Sequence, residues 1–341
     1  METSSTTPDN LDVVTAALLS RQSLLVSALR PILPEHALLW EPEDTIPYEC
    51  DGLAAYRRMP LAVALPETED QVAQILKICF EMQVPIVPRG SGTGLSGGAM
   101  PISQGLVLSL AKLKKIISID PFTRTAVVQP GVRNLAISEA VAHLGLYYAP
   151  DPSSQIACSI GGNVNENSGG VHCLKYGLTL HNVLKVRGIL MNGEIVEFGS
   201  LAPDSPGLDL LAIVMGSEGM LAVVTEVTVK LIAKPKLARV IMASFDDIEK
   251  GADAVAAIIA AGIIPAGLEM MDKATTRAVE EFVHAGYDLE AETILLCESD
   301  GTPEEVAEEI ERMTKVLEQA GASGIQISQN EAERLKFWSG R

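Results

Sequence analysis

Eleven residues constrain this chain more than any others. Pro88-Arg89-Gly90-Ser91-Gly92-Thr93-Gly94-Leu95-Ser96-Gly97-Gly98 holds five glycines. Glycine loses more backbone entropy on ordering than any other residue, so such a run does not sit inside a helix or strand. It is read as a loop, fed by a short buried strand over Val84 to Val87. Successive backbone N–H groups in a loop of this kind form a concavity that binds anions. A pyrophosphate is a natural guest. Gly92-x-Gly94-x-x-Gly97 also fits a Rossmann fingerprint, but that needs a following helix and an acid about 20 residues on. Pro101 interrupts such a helix and residues 112–117 (KLKKII) offer no acid. Gly94-x-Ser96-x-Gly98 fits a nucleophile elbow, which needs a helix directly after the serine. A purely structural glycine-rich turn stays open, and no P-loop sequence is present.

Two further segments resemble the first in kind. Asp151-Pro152-Ser153-Ser154 leads to Gly161-Gly162-Asn163-Val164-Asn165-Glu166-Asn167-Ser168-Gly169-Gly170. Its Asn and Ser side chains can donate to carbonyl or phosphate oxygens. Gly216-Ser217-Glu218-Gly219 is a tight turn running into an apolar strand over 221–232.

Composition narrows the partners. Lys and Arg number 26 against 44 Asp and Glu, a net charge of −18. Nucleic-acid binding needs clustered cations for counterion release, so it is excluded as the main role, and so is a strong attraction to anionic membrane surfaces. The 47% apolar content rules out a disordered chain. The five Cys (50, 79, 158, 173, 297) are odd in number and lack C-x-x-C spacing, which fits a reducing cytoplasm. The first ten residues do not read as a signal peptide, and no run of about 18 apolar residues suggests a membrane span.

The pattern of elements is mixed. Helices are expected at 11–30, from Thr68 and Gln71 (a capping box ahead of Val72, Ile75, Leu76, Cys79 and Phe80), and at 134–144 with Gly145 as the stop. Strands are expected at 106–110, 116–119 and 125–129. Residues 183–191 and 194–198 flank Asn192-Gly193, a type I′ hairpin signal. Lys234-Pro235 marks a boundary. Beyond it, strands near 238–245, 264–270, 293–298 and 324–328 alternate with helices at 248–261 and 303–320, a ferredoxin-like arrangement. The expected class is α+β, with two domains at 1–234 and 235–341. The acids between Asp288 and Glu318, Glu298 and Asp300 among them, read as a solvated helix face. Asn330 to Arg341 starts a helical pattern without completing an element, so the chain reads as a piece of a longer protein.

Taken together, PRGSGTGLSGGA, DPSS…GGNVNENSGG and GSEGMLAVVTEVTVKL resemble the FAD-binding domain of the vanillyl-alcohol oxidase/PCMH flavoprotein superfamily. Within it the wording is closest to the FAD-linked 2-hydroxy-acid dehydrogenases, from about Tyr56 to Arg341. The resemblance implies a PCMH-type FAD domain and a partial ferredoxin-like cap. It implies that Arg89, Gly90, Ser91, Gly92, Thr93, Gly94, Leu95, Ser96, Gly97 and Gly98 wrap the FAD pyrophosphate. Asp151, Pro152, Ser154, Gly161, Gly162, Asn163, Asn167, Gly169 and Gly170 would line the flavin and ribityl chain. Glu218, Gly219, Val224 and Thr225 would help seat the cofactor. Members with covalent flavin often carry His where this chain has Thr93, so non-covalent FAD is expected.

The implied reaction is oxidation of a 2-hydroxy acid, glycolate foremost, with D-lactate or D-2-hydroxyglutarate as alternatives. A flavin-binding assembly subunit without catalysis is the reading from another class. Arg341 matches the family's carboxylate-binding Arg in Arg334-x-x-x-x-Trp338-x-x-Arg341. The general base is expected downstream of Arg341. Of the histidines (36, 143, 172, 181, 284), His172 and His181 are read as structural or flavin-adjacent, and no metal site is expected. Expected partners are a second FAD-type subunit and an iron–sulfur subunit, with at most peripheral membrane association.

Overall fold

A computed structural model describes residues 8–202 and 207–340. Two compact units emerge. The first comprises residues up to Leu144, Ser154–Ser168 and Asn182–Leu231; the second comprises Gly145–Ser153, Gly169–His181 and Ile232 onward.

In the first unit, helix α1 (Pro8–Leu29) leads to strand β1 (Leu38–Leu39), the short helix α2 (Pro42–Thr45) and strand β2 (Ala62–Ala64). Helix α3 (Glu69–Glu81) begins at the expected capping box: Thr68 Oγ1 accepts from the Gln71 N–H, and Gln71 Oε1 accepts from the Thr68 N–H. This satisfies two otherwise orphaned groups at the helix end. Val72, Ile75, Leu76 and Cys79 are fully buried along one face, packed with Leu25 and Leu29 of α1. Strand β3 (Ile86–Arg89) follows, and it pairs in parallel with β4 (Leu106–Ser109), giving a sheet ordered β1-β2-β4-β3. The glycine run is the crossover between β3 and β4, with no helix after it.

A second sheet holds β5 (Ile116–Asp120), β6 (Thr125–Val128), β10 (Val223–Lys230), β8 (Val183–Ile189) and β9 (Ile195–Gly199) in that order, all antiparallel. Helix α4 (Asn134–Val141) precedes a 3₁₀ turn that ends at Gly145 with φ +68°. Helix α5 (Ile160–Glu166) ends at Asn167, whose φ is +52°, and the short helices α6 (Cys173–Tyr176) and α7 (Leu210–Val214) follow in sequence.

The β8–β9 connection differs from the expected type I′ turn. Only Gly193 has a positive φ (+85°) there, the Gly193 N–H bonds Leu190 O, and the Leu190 N–H bonds Glu194 O. The loop is therefore three residues long, a form in which one left-handed glycine supplies the bulge. Asn192 caps the turn instead, its Oδ1 accepting from the Glu194 N–H at 3.0 Å.

In the second unit, β7 (Leu146–Tyr147) pairs with β11 (Ile232–Ala233). The expected long strand over 221–232 is thus divided between the units. Leu231 turns its N–H to Arg124 O, and pairing resumes with a new partner. The main sheet is antiparallel and ordered β13 (Gly267–Asp272), β14 (Thr293–Gly301), β12 (Leu237–Phe245), β15 (Gly324–Ile327). That is the strand order of a ferredoxin-like sheet. Ile241, Ala243, Phe245, Leu295 and Cys297 face α8 (Ile248–Ala260) and α10 (Pro303–Gln319). Val240, Met242, Ile294 and Leu296 form the opposite face with Phe337 of α11 (Glu331–Trp338). The period of two continues along β14, so Glu298 and Asp300 fall on the buried face with Ile294 and Leu296. They are 2% and 4% exposed, which corrects the expectation that these acids belong to a solvated helix face. Helix α9 (Lys273–Val283) sits in sequence between β13 and β14.

Candidate active site: a glycine-lined cofactor cleft

The first unit contains a cleft open to solvent. One wall is the β3–β4 crossover: Pro88 to Gly94, Gly98 and Ala99. The other is Ser154, Cys158, Ser159 and the start of α5, with Asn165, Glu166, Ser168 and Glu218 at its rim.

The loop geometry is set by Arg89. Its Nη1 donates to Cys50 O at 2.7 Å and to Ala99 O at 3.4 Å, and its guanidinium lies 5.6 Å from the centre of the Tyr48 ring. Arg89 therefore fastens the far end of the glycine run to the segment at residue 50. Burial pulls its guanidinium down from the ordinary value, partly offset by Asp51. Gly92 has φ +68°, and a Cβ there would overlap the Arg89 guanidinium, so this position needs glycine on two counts. A Cβ at Gly90 would overlap Ser159 Oγ. At Gly161 it would lie 2.6 Å from Pro130 Cβ. Bare backbone is what lets these two walls approach.

Ser159 provides a test of fit for an anionic ligand. It is 3% exposed, it lines the cleft, and its Oγ has no hydrogen-bond partner among the described residues. A buried hydroxyl left unpaired is unfavourable by about 1–3 kcal/mol, which a phosphate oxygen in the cleft would relieve. Asn163 also lines the cleft, with Nδ2 held by Asn134 Oδ1 at 2.8 Å. Burial pushes the Cys158 thiol up, so it is neutral.

The cleft brings together Arg89, Gly90, Ser91, Gly92, Thr93, Gly94, Gly98, Ser154, Gly161, Gly162, Asn163 and Glu218 of the residues singled out in sequence. Leu95, Ser96, Gly97, Asn167 and Gly219 do not line it; Leu95 is 72% exposed. Val224 is fully buried in β10. Thr225 Oγ1 donates to Glu69 Oε1 at 2.7 Å, beside the Glu69–Arg187 ion pair, so its polar group is engaged away from the cleft. Asp151, Pro152, Gly169 and Gly170 belong to the second unit. Arg341 lies outside the described residues. Sequence reasoning missed Ser159, Cys158 and Pro130. A Ser two residues before Gly161-Gly162 was the available signal.

A second polar cluster occupies the second unit. His172 Nδ1 lies 2.7 Å from Asp151 Oδ2 and its Nε2 lies 3.1 Å from Glu298 Oε1. Glu298 also accepts from Arg334 Nη1 at 2.8 Å and Trp338 Nε1 at 2.5 Å. Lys175 Nζ and Tyr176 OH both donate to Asp300, at 2.6 and 2.8 Å. Glu331 accepts from Arg334 Nε and Nη2 at 2.7 and 2.8 Å, so four carboxylates meet Lys175, Arg334 and, when it is protonated, His172. Burial alone would lower the imidazole's pKa, but the bonds to Asp151 and Glu298 outweigh it and raise it to about 9. Burial likewise opposes ionisation of Glu298, and His172, Arg334 and Trp338 hold its carboxyl below the usual range. Arg334 is thereby committed within the protein. His181 caps locally, its Nδ1 accepting from the Leu178 N–H.

Two family models match the chain: an FAD binding domain over residues 60–199, and the C-terminal domain of FAD linked oxidases over residues 234–341. The D-lactate dehydrogenase of Anaerostipes hadrus is 32% identical over 326 residues, 93% of this chain and 68% of that protein. The chain belongs to the FAD-linked oxidase family. The glycolate oxidase subunit GlcD of Escherichia coli (strain K12) is 59% identical over 321 residues, 94% of this chain and 64% of its own length. That of Bacillus subtilis is 43% identical over 295 residues, covering 86% and 63%. The chain thus spans less than two-thirds of the glycolate oxidase subunits it matches. Among solved structures, p-cresol methylhydroxylase with substrate bound aligns with a TM-score of 0.79 at 20% identity, over 94% of this chain and 69% of that one. The chain therefore has the α+β fold of the PCMH-type flavoproteins, and FAD is its cofactor. Among the described residues no helix is long and apolar enough to cross a membrane.

Proposed function

We propose that this chain is the FAD-bearing part of a 2-hydroxy-acid dehydrogenase, with glycolate as the first substrate to test. The observation that carries the reading is a glycine-lined cleft with an unpaired buried hydroxyl, in a chain 59% identical to a glycolate oxidase subunit. Bound FAD would supply the two-electron acceptor for the substrate's α-carbon. The chain's own part is to hold it. Backbone N–H groups of residues 89–94 and Ser159 Oγ would take the pyrophosphate, while Arg89 keeps the loop in shape. Thr93, unlike a His, offers no ring nitrogen for attachment to flavin, which supports non-covalent binding. Residues 1–234 would form the FAD domain and 235–341 part of the cap, with Arg341 taking the substrate carboxylate.

The relatives' name of subunit supports a multi-subunit assembly, in which a second FAD-type subunit and an iron–sulfur subunit would pass electrons onward. The chain would work in the cytoplasm, at most peripherally at a membrane. The test is the visible spectrum of the purified chain before and after acid precipitation, followed by anaerobic addition of glycolate, D-lactate and D-2-hydroxyglutarate. Flavin that moves to the supernatant and is bleached by glycolate first is the expected result. A chain that neither carries nor takes up FAD would overturn the cofactor reading. Retained flavin that none of the three acids bleaches would overturn the substrate class.

A further inference from the structure

The cleft holds an electrostatic contradiction. Its guest would be a pyrophosphate, yet its rim carries carboxylates. A Cβ on Gly94 would overlap Glu166 Oε1, and one on Gly98 would overlap Glu218 Oε2, so both carboxylates stand directly against the glycine run. Among the described residues neither carboxylate makes an ion pair. Asp51 stands close behind; it is 6% exposed, its Oδ1 accepts from the Leu53 N–H, and its Oδ2 has no partner. Arg89 is the cation lining the cleft, and its Nη1 is taken by the carbonyls of Cys50 and Ala99. Cys158 is neutral, and Tyr48 and Cys50 sit on the Arg89 side. The attraction for a pyrophosphate is that of backbone dipoles, the unpaired Ser159 hydroxyl, which is 3% exposed and lines the cleft, and the single Arg89 charge, whose Nη2 stands against Gly92.

We propose that Glu166 and Glu218 set how tightly this chain holds its cofactor, by placing negative charge against the loop that takes the pyrophosphate. The inference rests on the FAD reading and deepens it. Like charges in a half-buried cleft repel through an effective dielectric well below that of water, so the pair opposes the loop's N–H groups. Burial, together with Glu218 and Asp51, raises the Glu166 carboxyl above its usual range. Mild acid therefore removes one of the opposing charges, and affinity rises as pH falls.

The experiment is a titration of flavin-free chain with FAD, followed by quenching of flavin fluorescence, with riboflavin as the uncharged probe. Glu166→Gln and Glu218→Gln should each tighten FAD roughly three- to tenfold, and by more than they change riboflavin binding. On the unsubstituted chain, raising salt from about 0.05 to about 0.5 M should tighten FAD by screening the repulsion. This arm needs no variant to fold. The double variant should show a smaller salt response. FAD bound equally or more weakly by both variants, riboflavin tightened as much as FAD, or salt weakening FAD on the unsubstituted chain would each overturn the inference while leaving the cofactor reading intact. No FAD binding by any form of the chain would overturn both.

Discussion

Raising the pH should loosen the second unit, and His172 should be the reason. Its imidazole bridges Asp151 and Glu298 and stands at a pKa of about 9, against an ordinary 6.5. A group whose pKa is higher in the folded chain stabilises the fold fully below its unfolded value. It loses that contribution as pH climbs through its folded value. The window therefore runs from 6.5 up to about 9, with nothing left above it. The difference corresponds to about 3 kcal/mol at 1.36 kcal/mol per unit. The side chain is 23% exposed, so solvent screening makes this an upper figure.

Trp338 is a built-in reporter, since its Nε1 donates to Glu298. The chain's other tryptophan, Trp40, belongs to the first unit and can be replaced by Phe. Urea unfolding followed by Trp338 emission, between about pH 6 and pH 9.5, should show the parent losing stability across the window. His172→Gln keeps a side chain that can donate a hydrogen bond but carries no charge. It should be less stable by up to about 3 kcal/mol at the acid end and converge with the parent at the alkaline end. The difference between the two curves is the measurement, because other thiols and phenols titrate in both proteins alike. Curves that stay parallel across the window would refute the reasoning, since His172 would then contribute no pH-dependent charge.

Three simpler perturbations test the surrounding logic. Glu298→Ala should destabilise the second unit by about 1–3 kcal/mol, because Trp338, His172 and Arg334 lose an acceptor while His172 keeps Asp151 and Arg334 keeps Glu331; Trp338-detected unfolding checks it. Gly161→Ala should cost about 1–3 kcal/mol, with its Cβ placed 2.6 Å from Pro130 Cβ, and should lower Tm in a calorimetric scan. Thr68→Ala removes the α3 capping box and should cost about 1 kcal/mol, largely restored by Thr68→Ser, as read by circular dichroism on heating.

Those perturbations divide along the line between what sequence can and cannot carry. The α3 start was legible because a capping box is local: Thr68 and Gln71 satisfy each other across three residues. The glycine run was legible because its density forbids helix and strand alike. The turn at Asn192-Gly193 was legible as a turn but not in its type, which the pairing of Leu190 with Glu194 decides. Ser159 was harder, since its lack of a hydrogen-bond partner becomes visible only once α5 packs near the β3–β4 crossover.

The acids of β14 show the limit most clearly. In a run of eleven acids, Glu298 and Asp300 look like their neighbours, and solubility explains them all equally well. What separates them is the strand's period of two, which carries both onto a face whose other members are Ile294 and Leu296. A carboxylate there is tolerable only with a cation brought from far along the chain. Those cations are His172, Lys175 and Arg334, the first of them 126 residues from Glu298. The same packing explains why residues 145–153 and 169–181 group with the second unit although they lie in sequence within the first. Asp151, His172, Lys175 and Tyr176 have their charged and polar partners in that cluster. Removing the His172 charge should therefore be felt at both strips as well as in β14, and faster amide exchange at 169–176 in His172→Gln, with the first unit unchanged, is the expected sign of it.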